Sequence, residues 1–258
     1  MYSKKEFGQN FLINNAIAEK IVKSLDIKNT DNVLEIGPGK GILTKYIIKK
    51  TSNAIFVEID KNLYDYLQKK YNLGNNIINK DVLKLDINSL FNSQKIKIIG
   101  NFPYNISGKL IFKFIENRNI IDTIVGMFQK EVVDRLISKE NSKKYGIPTI
   151  LTGLYYDVKK LFDVEPDNSN PKPKVTSSVC IFKRNDIKKL ECDEKLLFEV
   201  VKLSFSCRRK TIKNNLKPKN YDTHINPEYL NKRAEMLSIN DFINITKEIE
   251  TKILKPLN

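Results

Sequence analysis

Histidine and cysteine are scarce in this sequence, which has one histidine and three cysteines among its 258 residues. Cys180, Cys192 and Cys207 are too widely spaced for a Cys-x-x-Cys pair, and His224 lies in the polar stretch NYDTHINPEY. Structural and catalytic metal sites need closely spaced ligands of these types, so we expect no metal. A hydrolytic triad would need His224 as its base, and no Gly-x-Ser-x-Gly segment presents a nucleophile. The sequence therefore disfavours hydrolases.

Long hydrophobic runs are also missing. No apolar stretch approaches the ~20 residues of a membrane span, and the first residues, MYSKKEFGQNFL, lack the apolar core of a signal peptide and the arginines of a transit peptide. A hydrophobic content of 41% with 29% charged residues is ordinary for a soluble globular protein. We expect a cytoplasmic protein with no membrane association.

Acidic residues are fewer than basic ones, 30 against 45, which gives the chain a net charge of +15. Basic proteins bind polyanions because each neutralised phosphate releases counterions, which favours a nucleic-acid partner. The alternative is compositional, since the sequence is crowded with Lys, Ile and Asn.

Apolar runs alternate with helical patterns over the first 137 residues. The runs NVLEIG, AIFVEID, NIINKDV, KIKIIGNF and DTIVGMF are separated by helical patterns, among them helices from Gly41 and from Lys61. Such alternation predicts an α/β fold with a parallel sheet. The segments GLYYDVKKLFDV and SSVCIFKR predict an antiparallel hairpin at the sheet edge. From about Ile187 the periodicity is helical, which indicates a domain of residues 1–185 followed by a small all-helical domain of residues 186–258.

A glycine-rich turn follows the first long strand in VLEIGPGKGILT, residues 33 to 44. Gly37, Gly39 and Gly41 can bring backbone N–H groups close to a ligand. A dinucleotide site needs Gly-x-Gly-x-x-Gly, but Ile42 stands where its third glycine belongs. The pattern suits a methyl donor better than a nicotinamide cofactor.

Acidic residues end the next two strands. Glu58 in VEID can accept hydrogen bonds from both hydroxyls of a ribose, and Asp81 in NKDV can accept from the exocyclic amine of an adenine. Each feature alone is often structural. Their order and spacing predict one crevice for an adenosine-containing cofactor.

The fourth strand ends in IIGNFPYNIS, residues 98 to 107. Pro103 biases Phe102 toward extended geometry and lacks an N–H, so the Phe102 carbonyl is expected outside the strand ladder. Asn101 adds a second acceptor, and Tyr104 adds a flat face for stacking. Two acceptors and an aromatic face suit a planar amine; a simple turn is the alternative.

Together these motifs resemble the ribosomal RNA adenine dimethyltransferases, which use S-adenosylmethionine, and above all the members that act on the small subunit. The resemblance covers FGQNFL, EIGPGKG, VEID, NFPYNIS, FQKEVVDRL, NPKPKVTSSV and FSCRRKTIKNNLK. It implies a Rossmann-like methyltransferase sheet, catalysis by the residues 101–104 segment, and a monomer that dimethylates adenines, two adjacent ones, in a small-subunit rRNA loop during subunit biogenesis. It also implies the following cofactor-binding residues: Asn10, Leu12, Gly37, Gly39, Glu58, Asp81 and Asn101.

The segment FSCRRKTIKNNLK also carries a cluster of cations. If this segment is helical, Arg209, Lys210, Lys213 and Lys217 fall on one stripe beside an apolar stripe. A solvated helix face is the ordinary interpretation, but the resemblance implies that these residues and Arg208 bind RNA. This tail argues against the related erythromycin-resistance methylases of the large subunit.

One position departs from the family. Ser169 in VEPDNSNPKPKV stands where relatives have a phenylalanine, which is expected to close on the target base opposite Tyr104. Three interpretations remain: Phe162 supplies the second face, Tyr104 holds the base alone, or activity is lost. The second is favoured because the amine acceptors are intact. A non-catalytic RNA-binding assembly factor is the alternative from another class.

Overall fold

The computed structural model describes residues 8–186 and 189–254; Phe7, where the family resemblance begins, and Ile187, where the helical periodicity begins, lie outside the described residues. The chain forms two compact units. The first comprises Met1–Val133 with Tyr156–Arg184, and the second comprises Asp134–Tyr155 with Asn185–Asn258. The second unit resumes at Asn185, next to the predicted boundary, but it also takes in residues 134–155, which the sequence had placed in the first domain.

The described part of the first unit contains nine strands. They are β1 (Phe11–Leu12), β2 (Asn32–Ile36), β3 (Ala54–Glu58), β4 (Ile77–Asn79), β5 (Ile96–Asn101), β6 (Ile121–Gln129), β7 (Tyr156–Val164), β8 (Ser169–Asn170) and β9 (Ser177–Arg184). Seven strands form one sheet in the order β4-β3-β2-β5-β6-β9-β7, while β1 and β8 form an antiparallel pair of their own.

The large sheet is parallel from β4 to β6 and antiparallel from β6 through β9 to β7. The predicted α/β class, the parallel strands and the antiparallel edge hairpin are therefore confirmed. β2, β3 and β5 are apolar and mostly buried along their length, as expected of parallel strands covered on both faces. The strand order reverses at β2, whose neighbours are β3 on one side and β5 on the other. Ligands of open α/β sheets bind beyond the carboxyl ends of the strands at such a reversal.

The helices of the first unit cover this sheet. They are α1 (Asn15–Ser24), α2 (Thr44–Ile47), α3 (Lys61–Tyr71), α4 (Ser107–Glu116) and α5 (Lys130–Leu136), whose last turn continues into the second unit. Asn14 caps α1 by accepting from the N–H groups of Ala16 and Ile17, and Asp60 caps α3 in the same way. The helix predicted from Gly41 begins later, at Thr44, because residues 41–43 form turns.

The second unit is helical in its described part. Its helices are α6 (Ile147–Gly153), α7 (Glu194–Ser204), α8 (Ile212–Leu216), α9 (Pro227–Leu230) and α10 (Ile239–Leu254). Among the described residues, none of the helices combines the length and apolar character that crossing a bilayer requires.

The segment FSCRRKTIKNNLK is not one continuous helix, so the condition under which its cations would fall on one stripe is not met. α7 ends at Ser204 and α8 begins at Ile212, so residues 205–211 form turns between them. The side-chain amide of Asn215 donates to the carbonyls of Ser204 and Cys207 at 2.6 and 3.1 Å, which satisfies acceptors that a continuing helix would have used. These tertiary hydrogen bonds override the helical periodicity.

Candidate active site

A crevice of about 910 Å³, counting space open to solvent, lies at the carboxyl ends of β2, β3 and β5. All residues predicted for cofactor binding and catalysis line it: Asn10, Leu12, Gly37, Gly39, Glu58, Asp81, Asn101, Phe102, Pro103 and Tyr104. The fold thus brings together motifs that are more than ninety positions apart in the chain.

The glycine-rich turn forms one wall of the crevice. Gly37 and Gly39 have φ of +67° and +59°, in the left-handed region that side chains disfavour. A Cβ on Gly39 would approach the Phe11 ring to 3.0 Å, whereas a Cβ on Gly37 would meet nothing within 4 Å. The turn therefore needs glycine at both positions for its backbone and leaves open space beside Gly37 for a ligand.

Glu58 ends β3 and is only 3% exposed. One carboxylate oxygen accepts from the N–H of Gly39 at 3.0 Å and the other from the N–H of Asp60 at 3.0 Å. Burial raises the pKa of Glu58, and these backbone hydrogen bonds act in the opposite direction. An ionised carboxylate has about four lone-pair sites, so Glu58 could still accept a hydrogen bond from a ligand hydroxyl.

Glu35 is a second buried acid that the sequence reasoning did not single out. It lines the crevice, is 1% exposed, and accepts a 2.7 Å hydrogen bond from the Thr44 hydroxyl. Burial, with the nearby Glu58 adding to it, raises the pKa of Glu35 to about 8. The sequence did contain an indication of this, because Glu35 is an acid inside the apolar run VLEIG. Burying an acidic side chain costs free energy, so an acid in such a run indicates a function or a hydrogen-bonding partner.

Asp81 follows β4 and begins a 3-10 turn. Its Oδ1 accepts from the N–H of Leu83 at 2.9 Å, which leaves its second oxygen as an acceptor. Ile59, which is 45% exposed, and Val82 also line the crevice. An acceptor between apolar side chains suits the edge and faces of an adenine ring.

β1 lines another side of the crevice, and β8 pairs with it. Leu12 pairs with Ser169, and the Ile13 N–H donates to the Asn168 carbonyl at 2.8 Å. The Asn14 amide also donates to the Asn168 side chain at 2.8 Å. The segment with Asn10 and Leu12 is therefore held by the loop that follows β7.

Asn101 and Phe102 end β5 with acceptors. The Asn101 amide nitrogen donates to the Asn10 carbonyl at 2.7 Å, so the side-chain oxygen is left to accept. Phe102 N–H donates to the Met127 carbonyl at 3.1 Å, whereas the Phe102 carbonyl accepts no hydrogen bond within the described part of the chain. The predicted pair of acceptors is present at the crevice.

The Phe102 ring is fully buried and fixes this turn. Its centroid lies 4.8 Å from that of Phe128 and 5.7 Å from that of Phe114. A Cβ on Gly126 would come within 2.1 Å of the ring, and one on Gly100 within 2.6 Å. The absence of side chains on β5 and β6 at these two positions makes room for the ring, a requirement that the sequence reasoning missed.

Tyr104 lies in the 3-10 turn Tyr104–Ile106 and lines the crevice, half-buried. Its hydroxyl lies 2.5 Å from Ser177 Oγ, and burial raises the pKa of Tyr104. Neither Phe162 nor Ser169 lines the crevice: Phe162 lies 3.9 Å below the Lys20 ammonium, and Ser169 is 5% exposed in the β1–β8 pair. The interpretation that Tyr104 holds the target base alone stays a prediction.

The predicted RNA-binding cations lie in the second unit, and all of them are exposed: Arg208, Arg209, Lys210, Lys213 and Lys217. The Arg208 guanidinium donates to the carbonyls of Lys143 and Tyr145, so it ties residues 143–145 to the turn after α7. The other four make no ion pair with described residues. The structure places them on turns and on α8, not on one helical stripe.

Within residues 8–186 and 189–254, no group of three or more His, Cys, Asp or Glu side chains is arranged to hold a metal ion.

Known proteins resemble this chain over nearly its whole length. "Ribosomal RNA small subunit methyltransferase A" of Flavobacterium johnsoniae is 44% identical over 250 residues, 96% of each chain. Its namesake in Francisella tularensis subsp. novicida is 42% identical over 252 residues, 94% of this chain and 96% of the relative.

Two solved structures also resemble this chain over most of its length. A dimethyladenosine transferase from Plasmodium falciparum is 27% identical with a TM-score of 0.80, covering 94% of this chain and 98% of its own. The 23S rRNA methyltransferase ErmE shares the fold, with a TM-score of 0.70 at 20% identity over 93% of this chain and 99% of its own. The family model for ribosomal RNA adenine dimethylase matches residues 2–251. The chain belongs to the ribosomal RNA adenine dimethylase family.

Proposed function

We propose that this protein transfers methyl groups from S-adenosylmethionine to the exocyclic amine of adenines in small-subunit rRNA, methylating each target twice. The observation that carries the proposal is the hydrogen bond from the Asn101 amide to the Asn10 carbonyl at 2.7 Å. This bond leaves the Asn101 oxygen as an acceptor at the end of β5, and the next residue offers the Phe102 carbonyl. Two acceptors are therefore available to one amine.

The crevice fits the cofactor by the chemistry of its donors and acceptors. Glu58 has lone pairs for the ribose hydroxyls, Asp81 has a free oxygen for the adenine amine, and open space borders Gly37 for the amino-acid part. Gly39 donates to Glu58 and so holds the carboxylate in place. Asn10 and Leu12 close the site through the β1–β8 pair. When bound, S-adenosylmethionine supplies an electrophilic methyl group.

The chain's own residues prepare the nucleophile. The lone pair of an adenine amine is delocalised into the ring, so the amine is a poor nucleophile while planar. Hydrogen bonds from the amine to the Asn101 oxygen and the Phe102 carbonyl favour tetrahedral geometry and stabilise the positive charge that develops during attack. No dedicated base is required, because the alkylated amine readily loses its proton.

Tyr104 positions the target base by stacking on it. Such stacking contributes about 1–3 kcal/mol per base. The base must leave its own stack to reach the crevice, which costs a few kcal/mol in a duplex and less in a loop. A loop of two adjacent adenines is therefore a suitable target.

The second unit supplies phosphate contacts in this proposal. Arg209, Lys210, Lys213 and Lys217 bind RNA phosphates, while Arg208 holds residues 143–145 in place. The substrate is rRNA within a small subunit or an assembly intermediate. The protein acts as a cytoplasmic monomer, with residues 1–185 as the catalytic region and residues 186–258 as the ribosome-binding region.

Two other functions are less well supported. A large-subunit methylase of the ErmE type shares the fold, but relatives named for the small subunit are 42–44% identical to this chain. A non-catalytic assembly factor would not need the Asn101 and Phe102 acceptors or the buried Glu58.

The test is transfer of label from radioactive S-adenosylmethionine to unmethylated small subunits, with large subunits and fully methylated small subunits as controls. The proposal expects label in small-subunit RNA, recovered as dimethyladenosine after digestion. Label confined to large-subunit RNA would support the ErmE type. No label with saturating cofactor would support an assembly factor.

A further inference from the structure

We propose that Ser177 is a positioning residue that fixes the ring of Tyr104 in the orientation needed to stack on the target adenine. The inference rests on the proposed function and assigns a role to a residue outside the predicted site. Ser177 does not line the crevice, so it acts through Tyr104.

Tyr104 needs an anchor from outside its own segment. It begins a three-residue 3-10 turn after Pro103, with no side-chain cap at that end. The ring is half-buried, so packing restrains it less than a core aromatic. Its hydroxyl lies 2.5 Å from Ser177 Oγ, shorter than the ~2.7–2.8 Å usual for two hydroxyl groups.

Ser177 is well placed to be that anchor, because its own position is fixed on both sides. It is the first residue of β9 and pairs with Gln129 of β6 and Val164 of β7. Its side chain is 1% exposed. The hydroxyl therefore projects from a rigid, buried strand end.

The next residue adds a second restraint on this strand end. Ser178 Oγ donates to Asp163 at 2.6 Å, and Asp163 pairs with Lys130 at 2.5 Å and with Lys160 at 3.3 Å. Hydrogen bonds from Lys130 and Ser178 lower the pKa of Asp163 to about 2. Asp163 thus stays ionised at physiological pH and links the start of β9 to β7 and α5.

These contacts explain how a stacking residue on a short turn can be held in one orientation. The adenine amine has to meet the Asn101 and Phe102 acceptors, so its ring plane must be set as well as its position. The Tyr104–Ser177 hydrogen bond fixes the far end of the tyrosine ring to the sheet. Loss of this bond frees the hydroxyl end of the ring to swing about the Cα–Cβ bond, so that the base stacked on the ring is misaligned.

The kinetic test compares Ser177→Ala with Thr176→Val, which removes the neighbouring hydroxyl but keeps the size of the side chain; that hydroxyl makes only a long, exposed contact of 3.4 Å with Glu165. We expect Ser177→Ala to lower the single-turnover rate of methyl transfer to saturating small subunits by about tenfold. Cofactor affinity by calorimetry should stay unchanged. Ser177→Thr keeps the hydroxyl and should restore most of the rate, and Thr176→Val should not lower it comparably.

A mutant cycle isolates the contact. Tyr104→Phe removes the same hydrogen bond from the other side, so the double variant with Ser177→Ala should be no slower than either single variant. Additive losses, or a wild-type rate in Ser177→Ala, would overturn the inference.

A spectroscopic measurement separates this inference from the proposed function. Protein labelled with 3-fluorotyrosine gives a Tyr104 ¹⁹F resonance, assigned by its disappearance in Tyr104→Phe. That resonance should shift and narrow in Ser177→Ala but not in Thr176→Val. An unchanged resonance overturns the role of Ser177, whereas a wild-type protein that labels no RNA overturns the proposed function.

Discussion

The side-chain amide of Asn101 donates a 2.7 Å hydrogen bond to the backbone carbonyl of Asn10, ninety-one positions earlier in the chain. The bond joins the end of β5 to the segment that enters β1. It uses one of the two N–H donors of the amide and turns the nitrogen toward Asn10, so that the side-chain oxygen is left to accept. A change that displaces the segment around Asn10 therefore also frees the Asn101 side chain, and its oxygen is no longer held in position for the target amine.

The first prediction follows from this bond. Asn101→Ala removes the acceptor, and Asn101→Asp keeps oxygens but turns one toward the Asn10 carbonyl, where it cannot donate. Both variants should lower single-turnover methyl transfer by roughly 10²-fold or more with saturating cofactor, the scale of losing one group that stabilises developing charge. Asn88→Ala, which loses only an exposed hydrogen bond to Asn117, is the control. An Asn101→Ala variant with most of the wild-type rate would contradict the assigned role.

The second prediction concerns Glu58. Glu58→Ala should weaken binding of S-adenosylmethionine by roughly 1.5–3 kcal/mol, the scale of hydrogen bonds to a charged group. Glu58→Gln should have a smaller effect, because the amide oxygen can still accept from Gly39 N–H. Calorimetry on folded variants measures this, and unchanged affinity in Glu58→Ala would exclude ribose binding by this residue.

The third prediction is a pH dependence of stability. The pKa of Glu35 is about 8 in the folded protein against an ordinary value of 4.5. Between these values the folded state holds a proton that the unfolded state has lost, so this carboxyl makes stability fall as pH rises through that window. Glu35→Gln removes the titration and keeps an acceptor for the Thr44 hydroxyl.

The melting temperatures of Glu35→Gln and wild type should therefore agree near pH 4.5, and the variant should be several degrees more stable at pH 8.5. Glu116→Gln, at an exposed helical position, is the control and should show no such divergence. A difference that is constant with pH would mean that Glu35 ionises normally.

The fourth prediction concerns RNA binding. Lys210→Ala combined with Lys213→Ala should weaken binding to all RNA sequences alike. It should also reduce the slope of log K against log salt concentration by about 0.7–0.9 for each lysine removed. Lys195→Ala with Lys202→Ala removes two exposed charges from α7 as a control. Equal slopes for wild type and the Lys210 and Lys213 variant would mean that these lysines are merely solvated.

The fifth prediction tests whether stability and methyl transfer depend on the position of the Phe102 ring. Gly126→Ala places a methyl group 2.1 Å from a ring atom of Phe102, so the ring and the carbonyl that follows must shift. Overpacking of this kind costs about 1–3 kcal/mol of stability, and methyl transfer should fall with it. Gly108→Ala, with nothing within 4 Å of the added methyl, should be neutral or stabilising. Chemical denaturation and single-turnover rates decide it, and a fully active Gly126→Ala would show that the ring position is not critical.

Much of the first unit was predictable because local patterns and tertiary structure agree there. Buried parallel strands are continuous apolar runs, and polar residues at their carboxyl ends gather at one edge of the sheet. For this reason, the strands from Asn32 to Asn101 and the crevice lined by Gly37, Glu58, Asp81 and Asn101 could be read from spacing alone. The acceptor at Phe102 followed from the stereochemistry of Pro103.

Other features were decided by the tertiary structure alone. They depend on contacts between distant segments, and such contacts leave no periodic pattern in the sequence. The turn between α7 and α8 is one case, because Asn215 takes up carbonyls that a longer helix would use. The membership of residues 134–155 in the second unit is another. Glu35, Gly126 and Ser177 carry no motif, and their importance lies in what the fold places next to them: a second buried acid, the Phe102 ring and the hydroxyl of Tyr104. Sequence determined which chemical groups would reach the crevice, and packing determined how each one is held there.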